Sequence, residues 1–296
     1  MKIVTFKSRT NNLSNERRFK IGALLSESEI VDLTALVSAE DLSAAELLQC
    51  FDAENGFIEK AKSALSASKI PVINRRAVEI AAPVPRPGKI ICIGLNYRNH
   101  AEESGMPIPA SPIIFSKFAS CVIGANEPIV LPKGSTQVDY EAELAFVVGR
   151  KAKNVKKADA MNYVFGYTNF NDVSARDFQF GDGQWQRGKS CDTFAPMGEF
   201  VATTDEIADP HDLNIRFRLN GETLQNSKTN ELIFKVPDII EFLSASITLE
   251  PGDIVATGTP PGVGFARKPP IFLKNGDMAE VEIEGLGVLS NPVAAE

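Results

Sequence analysis

The 296-residue sequence predicts a mainly β protein with some helix, of the α+β class, organised as two compact units. Three observations carry this expectation. Seven runs beyond residue 88 are rich in β-branched and aromatic residues, while apolar residues at helical spacing are confined to a few stretches. The segment PVPRPG (83–88) places three prolines in six residues, which holds it extended and removes backbone donors, as an interdomain linker requires. The length is large for one ordinary domain and small for three. The expected units are therefore a small N-terminal domain, 1–85, and a catalytic domain, 86–296.

Within the first unit, KIVTFK, FKIGALL and EIVDLT are short β-branched runs with polar breaks, as in a small meander. SAAELLQCFDAE and GFIEKAKSALSAS then carry apolar residues near the helical period. In the second unit KIICIGL, SPIIFSK, EAELAFVVGR, YVFGYTNFN, LNIRFRLNGETLQ, DIVATGT and MAEVEIE read as strands. Asn220-Gly221 and Asn275-Gly276 are tight-turn signals, because positive φ suits Asn followed by Gly. The clearest helix is VPDIIEFLSASI, with Pro237 in a first-turn position and Ile239, Ile240, Phe242 and Leu243 as its apolar stripe.

Hydrophobic residues at 44% and charged residues at 23% are ordinary globular usage and exclude wholesale disorder. Lys and Arg number 31 against 38 Asp and Glu, with a pI near 5.1, which argues against nucleic acid as a partner. No apolar run is long enough to span a bilayer, and the opening residues lack a signal peptide's apolar core. The expectation is a soluble, cytoplasmic protein with no membrane partner. Cys50, Cys92, Cys121 and Cys191 are scattered without a CxxC pair and read as buried thiols. With only His100 and His211 available, a metal should sit among oxygens.

In VDYEAELAFVVG, the two-residue period of a strand puts Glu141 and Glu143 on one face, their Cα atoms roughly 6.5 to 7 Å apart. Two carboxylates so placed repel each other, and a hard divalent ion relieves this; an exposed polar face is the plainer alternative. Asp172, ending the run FGYTNFND, could complete a facial set of oxygen ligands, or cap a turn. His100 and Glu103 stand three apart in a stretch suited to a short helix ended by Gly105 and Pro107. There a carboxylate can orient the imidazole as a base, although a surface histidine would look the same. Lys189, in the loop WQRGKSCDTFAPMG, could neutralise an oxyanion, form a Schiff base or simply face solvent. Cys191 reads as structural. ATGTPPGVGFA lacks the GK[ST] of a phosphate loop; it presents a hydroxyl and amides to a carboxylate, or is a plain turn.

Taken in order, GLNYRNHAEE, DYEAELAFVVG, NDVSARDFQ, the GKS lysine segment and GTPPGVG resemble the fumarylacetoacetate hydrolase family, from about Lys89 to Pro292. The resemblance implies that family's mixed β-sandwich or roll and a homodimer. It also implies Mg²⁺ or Mn²⁺ held by Glu141, Glu143 and Asp172, a catalytic dyad of His100 and Glu103, and Lys189 as the active-site lysine. The family's name-giving enzyme has a further acidic ligand upstream of its histidine, whereas KIICIGLNYRN contains no acid. Three carboxylates are thus expected, closer to the branch acting on acylpyruvates and oxaloacetate.

The expected function is metal-dependent hydrolysis of a carbon–carbon bond in a 2,4-diketo acid, a small anionic substrate, giving pyruvate by way of its enolate. Arg176, Gln179 and Thr259 would hold substrate oxygens. Decarboxylation of oxaloacetate, and isomerisation or hydration of an unsaturated 2-keto acid, use the same enolate. A non-catalytic ligand-binding domain with a structural cation is the remaining alternative.

Overall fold

A computed structural model describes residues 1–8, 18–67, 70–103 and 105–296. The fold is mixed α+β, built on two large sheets. The larger has eleven strands. Its path runs Val72–Asn74, Glu29–Asp32, Lys20–Leu24, Lys2–Ser8, Val201–Thr203, Val164–Asn171, Ala142–Val148, Ile254–Ala256, Ile90–Gly94 and Ile113–Lys117, with Val78–Ala81 also paired to Lys2–Ser8. The second, five-stranded sheet runs Glu222–Lys228, Asn214–Leu219, Met278–Ile283, Gly287–Ala295 and Ile129–Leu131.

The second sheet covers the middle of the first. Tyr140 stacks on Phe217 with ring centroids 4.0 Å apart, and the Asn169 amide donates to the carbonyls of Val281 and Gly287 at 3.3 and 3.0 Å. Every residue of Ala142–Val148 and of Val164–Asn171 is therefore buried, on both strand faces. The glutamate-bearing face is not an exposed polar face. It lies within the protein.

The expected N-terminal meander is present as three antiparallel strands. Helix Ala44–Gln49 begins at a capping box in which Ser43 and Glu46 exchange side-chain-to-backbone hydrogen bonds. Phe57–Ser66 forms the second helix; the expected end at Ser68 lies outside the described residues, as does Ser104 beyond the His100 helix. Lys2 and Ile3 pair with Ala202 and Val201, so the ladder runs from the 1–85 segment into the remainder. The proline-rich stretch is packed, with Val84 fully buried and the Thr5 hydroxyl donating to the Pro83 carbonyl at 2.7 Å.

Several local expectations are corrected. The segment around Lys189 is not wholly loop, because Trp185–Lys189 is a short helix, and Arg176–Gly181 is another. Gly287–Ala295 is an unanticipated strand: Pro292 marks a break by composition, yet it stands opposite Met278 at the end of that ladder. Asn220-Gly221 makes a hairpin with both φ positive, whereas at Asn275-Gly276 only the glycine is positive and, among the described residues, no strand leads directly into the turn. Helix Val236–Ser246 buries Ile239, Ile240 and Leu243, but Phe242 points outward. Cys191 is only half-buried, unlike the other three cysteines. No helix among the described residues is long and apolar enough to cross a membrane.

Candidate active site

The fold brings two strand ends, three short helices and the loop after Ile254–Ala256 to one cleft. Glu141 and Glu143 come from the start of Ala142–Val148, and Asp172 follows the end of its antiparallel neighbour, where Ala142 pairs with Asn171. One oxygen from each of the three carboxylates lies within 4.8 Å of the others. All three are at least 94% buried, since exposure is 6%, 1% and 0%. Carboxylates so close in a dry site require compensation.

Part of that compensation is cationic. Lys189 Nζ donates to Glu141 Oε2 at 2.8 Å and to Asp172 Oδ2 at 3.0 Å. Lys117 Nζ donates to Asp172 Oδ1 and, at 2.9 Å, to the Val173 carbonyl. Arg176 donates to Asp139 Oδ2 at 2.8 Å, Glu141 Oε1 at 2.6 Å and Gln179 Oε1 at 3.0 Å. Four carboxylates thus face three cations, and the shortfall falls on Glu143. Among the described residues no lysine or arginine nitrogen lies within 4.0 Å of it. Its one hydrogen bond here comes from the Gly258 N–H, at 2.8 Å.

The proton affinities follow. Burial pushes Glu141 upward, but Lys189 and Arg176 outweigh it and hold the carboxyl at about 2. Burial, with the charges of Asp172 and Glu141, drives Glu143 well above the ordinary range. Burial opposes the charge on Lys189, yet Asp172 and Glu141 raise its pKa. A hard cation beside Glu143 would supply the missing charge, and the donor set is all oxygen, so these residues fit a divalent ion such as Mg²⁺ or Mn²⁺.

His100 and Glu103 lie on the short helix Arg98–Glu103. His100 Nδ1 is 3.4 Å from Glu103 Oε2, and Glu103 in turn accepts the Gly262 N–H at 3.0 to 3.1 Å. Burial works against the Glu103 charge, but His100 and the Gly262 amide hold its pKa down. The loop after Ile254–Ala256 is thereby tied to the dyad. Gly258 has φ +105°, and a Cβ there would meet the Asn96 Cβ at 2.8 Å, so the loop can present its amide to Glu143 only with glycine.

A cavity of about 250 Å³ opens onto this set, lined by His100, Glu141, Glu143, Arg176, Gln179, Lys189 and Thr259. Phe115, Trp185 and Phe265 supply apolar wall. Asp172 lies behind the lining. Seven of the nine predicted site residues thus line the cavity, and Glu103 and Asp172 join them through His100 and Lys189. Thr259 is already engaged: its hydroxyl donates to the Ala142 carbonyl at 3.0 Å and accepts from Gln225 at 2.8 Å. The Gln179 amide nitrogen and His100 Nε2 have no protein hydrogen-bond partner among the described residues.

Lys117, Asp139 and Gln225 also build the site, although local sequence does not single them out. Asp139 accepts from Arg176 and from the amides of Tyr140, Gly264 and Phe265 while fully buried. The local signal is only that Asp139 shares the two-residue period of Glu141 and Glu143. Gln225 holds the Ala142 amide and the Pro260 carbonyl, and nothing in its local pattern distinguishes it from an ordinary hairpin residue.

Fold and cleft together define an α+β enzyme with a buried, oxygen-rich carboxylate site. The chain belongs to the fumarylacetoacetate hydrolase family: the model described as Fumarylacetoacetate (FAA) hydrolase C-terminal matches residues 89–294. Oxaloacetate tautomerase fahd2, mitochondrial, from Xenopus laevis is 46% identical over 296 residues, covering 99% of this chain and 90% of that protein. Fumarylacetoacetate hydrolase from psychrophilic Exiguobacterium antarcticum is 34% identical, with a TM-score of 0.84 and complete coverage of both chains. Maleylpyruvate hydrolase from Sphingobium sp. SYK-6, solved in complex with manganese(II) and pyruvate, is 30% identical with a TM-score of 0.81, covering 100% of this chain and 99% of that one.

Proposed function

We propose that this enzyme interconverts the keto and enol forms of a small 2-oxo dicarboxylic acid of the oxaloacetate type, with a divalent cation held by Glu141, Glu143 and Asp172. The observation that carries the reading is the 46% identity to an oxaloacetate tautomerase across 99% of the chain. The cleft supports it. Tautomerisation needs an electrophile for the 2-oxo oxygen, which the carboxylate site could hold as a cation, and an acid–base group for the neighbouring carbon, which His100 offers.

When bound, the cation would polarise the 2-oxo group and stabilise the charge that develops there. Glu103 orients the His100 ring through Nδ1, leaving Nε2 to move a proton to or from substrate C3, while the matching proton on the 2-oxygen is exchanged with solvent. Lys189 adds positive charge beside the developing enolate oxygen. Gln179 offers its amide nitrogen to a substrate carboxylate. Arg176 and Thr259, whose polar groups are engaged with the protein, orient Glu141 and the strand that bears Glu143. Mg²⁺ and Mn²⁺ should both serve, because a site of carboxylate oxygens separates them poorly.

Hydrolysis of an acylpyruvate is the second reading, favoured by the likeness to a hydrolase solved with manganese and pyruvate. In it the same His100–Glu103 pair would take a proton from water. One experiment separates the readings. The Mg²⁺-loaded enzyme is given freshly dissolved enol oxaloacetate, and the ultraviolet enol signal and pyruvate are followed together. Tautomerisation predicts faster enol decay with no excess pyruvate; pyruvate from oxaloacetate would make it a decarboxylase. Pyruvate from acylpyruvates alone, with enol decay unchanged, would overturn the tautomerase reading in favour of hydrolysis.

A further inference from the structure

Lys117 ends the strand Ile113–Lys117 at the edge of the main sheet, a place where a lysine ordinarily reaches solvent. Here its side chain is completely buried. Burying an ammonium is costly unless it is paired and its protons are accepted. Lys117 meets that requirement with two acceptors on consecutive residues, Asp172 Oδ1 and the Val173 carbonyl at 2.9 Å. The contact ties the edge strand to the chain just beyond Val164–Asn171, where Asp172 stands.

The two oxygens of Asp172 are thereby made different. Oδ1 is held by Lys117; Oδ2 lies 3.0 Å from Lys189 Nζ, which also touches Glu141 Oε2. An aspartate carboxylate otherwise turns about a broad, nearly two-fold torsion and can present either oxygen or both. Mg²⁺ tolerates little of that freedom, since it demands near-octahedral ligands at short distance.

We propose that Lys117 is a positioning residue that fixes the Asp172 carboxylate, so that it offers Oδ2 alone to a divalent cation. The proposal rests on the reading that Glu141, Glu143 and Asp172 hold such an ion. It makes a prediction opposite in sign to a simple charge effect. A positive charge near the site repels the cation, so if charge were the whole role, removing Lys117 would tighten binding. If positioning is the role, removal loosens the ligand and weakens binding.

The test is metal affinity of the full chain, stripped of metal and without substrate, by calorimetry with Mg²⁺ and by Mn²⁺ paramagnetic resonance. Lys117→Met keeps the apolar stem and removes donor and charge; Lys117→Gln removes the charge but retains a donor for Oδ1. The expected result is binding weakened by about 10- to 100-fold in the methionine variant, the range for groups that hold a ligand in place, and by less in the glutamine variant. Unchanged or tighter binding in both variants would overturn the proposal. Thermal unfolding shows whether each variant folds. Should the methionine variant fail, the glutamine variant decides: weaker binding supports positioning, and equal or tighter binding defeats it. Absence of Mg²⁺ and Mn²⁺ binding in the unaltered chain would instead remove the metal reading beneath the proposal. Because no substrate is present, the outcome is independent of which reaction the enzyme performs.

Discussion

Glu143 concentrates the electrostatic problem of the cleft, because each neighbouring carboxylate has a lysine or arginine on it and Glu143 has one backbone amide. Glu143→Gln keeps the volume and the Gly258 contact but removes the charge that would attract a cation. Calorimetry should show Mg²⁺ affinity reduced by about 100-fold or more, with the fold intact. His100→Ala should leave metal affinity unchanged while slowing turnover by about 10²-fold, the scale of lost proton transfer. A variant with full enol–keto turnover would remove His100 from the chemistry. The ligand and dyad residues were legible because their chemistry is local: paired acids at strand spacing, and a histidine with a carboxylate three residues on. Lys117 and Gln225 were harder, since what makes each matter is a partner 55 and 83 residues away in sequence.

Strands were read from their β-branched alternation, and the helix Val236–Ser246 from its apolar period and Pro237. The short helices Arg176–Gly181 and Trp185–Lys189 were not, because five or six residues are too few to show a period. An element-scale consequence concerns the N-terminus of Val236–Ser246, where His211 Nε2 accepts the Val236 N–H at 3.2 Å and Nδ1 lies 3.3 Å from Asp209. Burial lowers the His211 pKa, more than Asp209 raises it. The unfolded chain therefore binds this proton more readily than the folded one, so stability rises with pH. The contribution is complete above the unfolded value, about 6.5, and is lost as pH falls below it toward the depressed folded value. Urea midpoints should decline between pH 7.5 and 5.5, and His211→Gln should flatten that decline. An identical decline in the variant would place the titration elsewhere.

At the scale of the whole molecule, the sheet that carries the site is continuous with the strands that precede the proline-rich stretch. Sequence composition marks 83–88 as a linker, and composition cannot show that Lys2 and Ile3 stand opposite Ala202 and Val201, far along the chain, in one antiparallel ladder. Val201–Thr203 is in turn paired to Val164–Asn171, the strand that leads into Asp172. Removing residues 1–85 would leave Val201–Thr203 as an unpaired edge beside the site-bearing strands. It would also remove Ile3, Val4 and Phe6, each at most 1% exposed. Burial of such side chains contributes about 1.5 to 3 kcal/mol each, and an unpaired apolar edge invites association with other chains. A fragment of residues 86–296 should therefore elute as aggregate in size-exclusion chromatography, or unfold at markedly lower temperature than the full chain. Metal affinity should weaken with it, because the register that brings Asp172 against Glu141 would lose its outer support. A soluble fragment with full-length thermal stability and Mg²⁺ affinity would show that the site's geometry is held by the 86–296 segment alone, and that the shared ladder contributes nothing to it.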